Sequence, residues 1–116
     1  MESVQMNYWI APSMIFKISN QRKTDEIMRI ISKEMHVPIN VILSRLRKKN
    51  VVECRHMIVY FLCKYTTYSL SKVALILGGR DHSTIIHSKH VIADWYITDK
   101  NIKAYVDKFD ALFEKY

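Results

Sequence analysis

Between Gly78 and Ser88 the chain reads GGRDHSTIIHS, which brings Arg80, Asp81, His82, Ser83, Thr84 and His87 within a few residues of a double glycine. Residues of these types serve three chemistries: metal ligation, acid–base or nucleophilic catalysis, and hydrogen-bonded readout of a polyanion. His87 and His90 share a helical face, but no cysteine or carboxylate set joins them at metal-ligand spacing. No nucleophile, base and orienting group stand in a catalytic arrangement either. The third chemistry fits better. Aspartate accepts from the cytosine amino group, histidine bonds to donors or acceptors, and small hydroxyl side chains do the same at close range. A helix N-terminus carrying such residues also offers free backbone N–H groups to phosphate, and Arg80 just before it adds a cation for a phosphate oxygen.

These residues need a helix start to present them, and the surrounding sequence predicts one. Ser69 caps a short helix whose buried side is Leu70, Val73, Ala74 and Leu77, and Gly78 and Gly79 stop it. Asp81 is placed to cap the next helix, in which Ile85, Ile92 and Tyr96 share one face while Ser83, His87, His90 and Asp94 share the other. Two helices joined by a tight glycine turn have the layout of a helix-turn-helix, whose second helix enters the major groove.

The remaining segments also read as helices. Thr24 is predicted as an N-cap, with Asp25 and Glu26 in the first turn and Ile27, Ile30, Ile31 and Met35 on one face, ending at His36, Val37 and Pro38. A short helix follows through Val41, Ile42 and Leu43. A third, from about Val51 to Tyr65, has Cys54, Met57, Ile58, Phe61 and Leu62 at helical spacing and reads as the central core helix. Thr98 and Asp99 start a last helix with Ile102, Tyr105, Val106, Phe109, Leu112, Phe113 and Tyr116 on one side. The fold class is therefore all-α, a compact bundle of about six helices containing a helix-turn-helix over residues 24–116. Residues 1–23 read as an N-terminal extension or arm, in which Trp9, Ile10 and Phe16 serve equally as a partner surface or as cover for the domain's own core.

At 116 residues the chain holds one modest core. Eighteen Lys and Arg against 11 Asp and Glu give a formal charge of +7, the balance of a protein that binds polyanions or acidic membranes. The densest positive run is Arg45, Arg47, Lys48 and Lys49; taken alone, such a run is a solvated loop. The apolar run MIVYFLC from Met57 is far short of the roughly 20 residues needed to span a bilayer, so no membrane partner is expected. Cys54 and Cys63 project to opposite sides of one helix at about 100° per residue and cannot pair, which fits a reduced, cytoplasmic protein.

The stretch SLSKVALILGGRDHSTIIHS, from Ser69, resembles the C-terminal DNA-binding domain of the bacterial replication initiator DnaA, whose signature there reads close to SLPEIGxxFGGRDHTTVxHA. The resemblance covers about residues 24 to 116 and implies a TrpR-like helix-turn-helix fold. It implies base contacts from Asp81, His82, Ser83 and Thr84 in the major groove and from Arg47 in the minor groove. Ser71 joins them at a position where the family usually has a base-touching proline. Phosphate contacts are implied for Arg80 and His87, with Lys48, Lys49, Arg55, His56, Lys72 and His90 completing the set. Glu53, Cys54 and Cys63 depart from the family's basic and proline pattern. The implied partner is double-stranded DNA at boxes resembling TTATNCACA, with replication-initiation proteins as further partners. No cofactor, metal or enzymatic activity is implied. The chain carries no GxxxxGK[ST] phosphate loop, so as a stand-alone protein it is not expected to drive ATP-dependent origin opening. The competing expectation is a protein-interaction module or non-specific nucleic-acid binder that keeps the fold without box specificity.

Overall fold

The computed structural model describes residues 12–114, with side chains from residue 20 onward. Six helices follow one another: α1 (Pro12–Met35), α2 (Ile39–Ile42), α3 (Lys49–Tyr65), α4 (Leu70–Ile76), α5 (His82–Thr98) and α6 (Lys100–Phe113). Among the described residues none is in a strand, and no helix is long and apolar enough to cross a membrane.

Helix α3 is the hub, packing against α1, α2, α4 and α5. Val51, Cys54, Met57, Ile58, Phe61 and Leu62 are all buried, because they recur at three- and four-residue intervals and so form a stripe wide enough to meet several neighbours. Phe61 sits edge-on to Phe109 at 5.7 Å and to Phe113 at 5.3 Å, which fastens α6 to the hub. Each fully buried phenylalanine contributes up to about 3 kcal/mol relative to an exposed one.

Helix α1 starts at Pro12, twelve residues before Thr24. Thr24 is thus not a cap: it is buried inside the helix, and its hydroxyl donates to the carbonyl of Asn20 one turn earlier, at 2.8 Å. Asn20 is itself buried, and its side-chain amide donates to the Thr67 hydroxyl at 2.6 Å, tying α1 to the α3–α4 connection. The helix ends as expected at His36, which takes a left-handed φ of 59° while Val37 N–H closes back onto the carbonyl of Ser32. Leu112 is exposed at 37 % and is not part of the α6 core stripe. Trp9, Ile10 and Tyr116 lie outside the described residues, as does the side chain of Phe16.

The connections around the signature follow local chemistry. Ser69 caps α4 by accepting from the backbone N–H of Lys72 at 3.2 Å. Gly78 and Gly79 take φ values of 90° and 81°, and the N–H groups of Gly79 and Arg80 both return to the carbonyl of Ala74, at 2.8 and 3.0 Å. This satisfies the end of α4 within a turn that only glycine enters without strain. Asp99 caps α6 by accepting from the N–H groups of Asn101 and Ile102.

Candidate nucleic-acid interface

The first turn of α5 is turned to solvent. Asp81, His82, Ser83 and Thr84 are all exposed, while Ile85 and Ile92 are buried and hold the helix to the core. Asp81 occupies the N-cap position, yet its side chain makes no capping hydrogen bond. Its carboxylate is therefore not spent on its own helix. The first-turn backbone N–H groups of α5, which have no intrahelical partner, lie at the same place.

Ser71, exposed in the first turn of α4, reaches across the turn. Its hydroxyl lies 2.6 Å from His82 Nε2. The two residues expected to touch bases separately are thus bonded to each other.

The basic run lies between α2 and α3. Arg45, Arg47 and Lys48 are exposed in this loop, and Lys49 is exposed at the start of α3. Two further arginines hold the loop from below. Arg55, 8 % exposed, donates from Nε to the carbonyl of Ile42 at 2.7 Å and from Nη2 to those of Ser44 at 2.7 Å and Val41 at 3.3 Å. Arg80, half-buried, donates from Nη2 to the carbonyls of Ser44 and Ile42 and from Nε to that of Leu77 at 3.1 Å. The guanidinium of Arg55, expected as a phosphate contact, is turned inward by these bonds to carbonyls at the end of α2. Arg80 divides its donors between the same carbonyls and the surface.

Gly78 adds a steric tie between the turn and the loop. A Cβ at this position would stand 3.0 Å from the carbonyl oxygen of Leu43. The α4–α5 turn and the α2–α3 loop are consequently in backbone contact, with arginine hydrogen bonds on either side of that contact.

His56, the other phosphate contact expected on α3, is partly enclosed as well. It is half-buried on α3, its Nδ1 lies 2.8 Å from the Ser88 hydroxyl, and its ring meets His87 and Trp95 edge-on, each at 5.8 Å. Burial, then the neighbouring His87 and Arg55, push its pKa down to about 4. Near neutral pH it is uncharged and supplies no cation to a phosphate. His87, His90 and Lys72 are exposed as the reading requires, with the Lys72 ammonium 5.8 Å from the centre of the Tyr68 ring. Cys54 is a core residue, its thiol pushed up to about 12 by burial.

A recess of about 260 Å³ opens between α3, the basic loop and α5, lined by Arg47, Arg55, His56, Arg80, Thr84, His87 and Ser88 among others. The arginines around it repel one another. After burial, the chief causes that lower the Arg55 pKa are Arg80 and Arg47, and those that lower the Arg80 pKa are Arg45 and Arg47. A cluster of cations held together in this way favours an anion that neutralises it. Among the described residues no group of three or more His, Cys, Asp or Glu side chains stands close enough to hold a metal ion.

Three interactions leave no signal in the sequence. The Ser44 carbonyl, which receives both arginines, leaves no trace in residue type. Ser88 and His56 meet across 32 positions of sequence, and Ser71 and His82 across 11, so both pairs arise only from helix packing.

Residues 24–92 match the family model described as the bacterial dnaA protein helix-turn-helix. Similar proteins named chromosomal replication initiator protein DnaA occur in Flavobacterium psychrophilum, 28% identical over 98 residues that cover 84% of this chain and 20% of that protein. Those of Bacteroides thetaiotaomicron are 29% identical over 91 residues, covering 78% and 19%, and those of Ureaplasma parvum 34% identical over 71 residues, covering 61% and 16%. The chain spans about a fifth of the length of these relatives.

Proposed function

This chain belongs to the bacterial DnaA protein helix-turn-helix family, a DNA-binding and non-catalytic module, and on that premise we propose that it binds duplex DNA in a sequence-specific manner at sites resembling the DnaA box. The reading rests on one juxtaposition. The exposed polar start of α5 and the exposed basic loop are fixed to each other through Gly78, Arg55 and Arg80, so a helix that fits the major groove and an arginine that fits the minor groove act from one frame.

In this reading Asp81, His82, Ser83 and Thr84 meet base edges, with Asp81 accepting from cytosine. Arg47 enters the minor groove, whose negative potential is deepest where A/T-rich sequence narrows it. Lys48, Lys49, Lys72, His87, His90 and the free edge of Arg80 take phosphates. Arg55 and His56 act from beneath, by positioning. Binding of this kind serves replication initiation, competition for an initiator's sites, or transcriptional regulation.

Fluorescence anisotropy with a duplex containing TTATNCACA and a scrambled duplex of equal length tests the proposal. Preference for the box duplex by tenfold or more is the expected result. Equal affinity for the two would reduce the function to non-specific binding, and affinity insensitive to salt would point to a protein-interaction module.

A further inference from the structure

We infer that Ser71 is the positioning residue of His82: its hydroxyl holds the imidazole by Nε2 across the α4–α5 turn, so that the ring meets a base as a fixed edge through Nδ1. The inference rests on the reading of the α5 start as the base-contacting end.

Ser71 is free for this task. Ser69, not Ser71, caps α4, and the Ser71 hydroxyl bonds to His82 Nε2 at 2.6 Å. Lys72, the nearest cation in sequence, is directed to the Tyr68 ring. An exposed histidine at the first position of a helix otherwise samples several rotamers and both tautomers. A bond at one ring nitrogen fixes the ring plane, and because the serine hydroxyl both donates and accepts, it holds the ring in either tautomer. The bond is exposed to water in the free protein. Once a base pair covers it, water no longer competes and losing the hydroxyl would leave Nε2 unpaired. The contribution to recognition therefore exceeds the contribution to folding.

The geometry also explains why two residues that by type could each read a base are not independent. Removing Ser71 should act through His82. Ser71→Ala is expected to weaken binding to the box duplex roughly fivefold, to have little further effect in a His82→Ala background, and to be rescued by Ser71→Thr. Three-bond couplings in the free protein should show one dominant His82 side-chain rotamer in the wild type and in Ser71→Thr, and rotamer averaging in Ser71→Ala. Additive losses in the double variant, or an unchanged His82 rotamer distribution in Ser71→Ala, would overturn the inference. Wild-type protein that does not distinguish the box duplex from the scrambled one would instead overturn the box reading. In that event the rotamer comparison alone decides whether Ser71 positions His82.

Discussion

Arg55 and Arg80 donate to the same two carbonyl oxygens, those of Ile42 and Ser44. One arginine comes from the central helix and the other from the end of the glycine turn. Arg55, and one side of Arg80, thus spend on the protein's own backbone donors that the resemblance assigns to phosphate. The basic loop is thereby held in place by one buried and one half-buried cation.

Truncating these two arginines should separate them. Arg55→Ala empties a buried site and removes three hydrogen bonds, leaving the Ile42 carbonyl only the 3.4 Å bond from Arg80, and is expected to destabilise the fold by about 2–3 kcal/mol. Arg80→Ala, at a half-buried site where Arg55 still serves Ile42 and Ser44, should cost about 1 kcal/mol. Urea denaturation of the two variants measures the difference.

The glycines of the turn should also differ. Gly78→Ala meets a left-handed φ of 90° and the Leu43 backbone at 3.0 Å, and backbone cannot swing aside like a side chain. A loss of about 2 kcal/mol or more is expected. Gly79→Ala faces open space and bears only the conformational penalty, about 1 kcal/mol. Gly78→Ala should in addition weaken DNA binding, because the loop it displaces carries Arg47; thermal unfolding paired with anisotropy detects both effects.

His56 gives stability a pH dependence. Its folded pKa, about 4, lies below the ordinary value near 6.5, so between these two pH values the unfolded chain binds a proton that the folded chain refuses. The contribution is complete above about pH 6.5 and is lost as the pH falls toward 4. Solvent screening at this half-buried site makes the loss a fraction of the full linkage value. His56→Gln, which keeps a polar partner for Ser88, should flatten this part of the curve, as urea midpoints at pH 7.5 and pH 5 would record.

Salt dependence reports how many cations meet phosphate. With Arg55 and His56 acting by positioning, the six other residues proposed to take phosphates remain, for which affinity should fall about a thousandfold between about 50 and 200 mM salt. Lys48→Ala should lower the salt slope by about one unit without changing site preference. Arg47→Ala should relax preference at the A/T end of the site, and Asp81→Ala at the C-containing end. Selection of bound sites from a random duplex pool compares the variants, and identical preferences for Arg47→Ala and Asp81→Ala would contradict the docking.

The parts of this protein that sequence makes legible are those governed by near neighbours. Ser69 caps, Gly78 and Gly79 stop a helix, and Asp99 caps, each through groups a few residues away. Thr24, Asp25 and Glu26 look like a first turn, yet α1 already runs through residues 12–23, where no glycine or further proline interrupts it. Arg55 and His56 depend on distant packing. Periodicity places them on α3, but whether such a side chain ends at the surface or on a partner within the fold depends on how closely α2 approaches Arg55 and α5 approaches His56. Those distances are set by the whole core. The same holds for Ser71 and His82, whose bond exists only because two helices meet at the angle that the glycine turn allows.

The contact between Gly78 and the Leu43 carbonyl makes the domain a gauge as well as a reader. With the turn and the loop locked together, the separation between the α5 tip and Arg47 is fixed, whereas inserting a single base pair shifts the two halves of a site by about 3.4 Å along the duplex axis. A site with every base right but its A/T end displaced by one step is then out of register. Length, not only letter, becomes part of what is recognised.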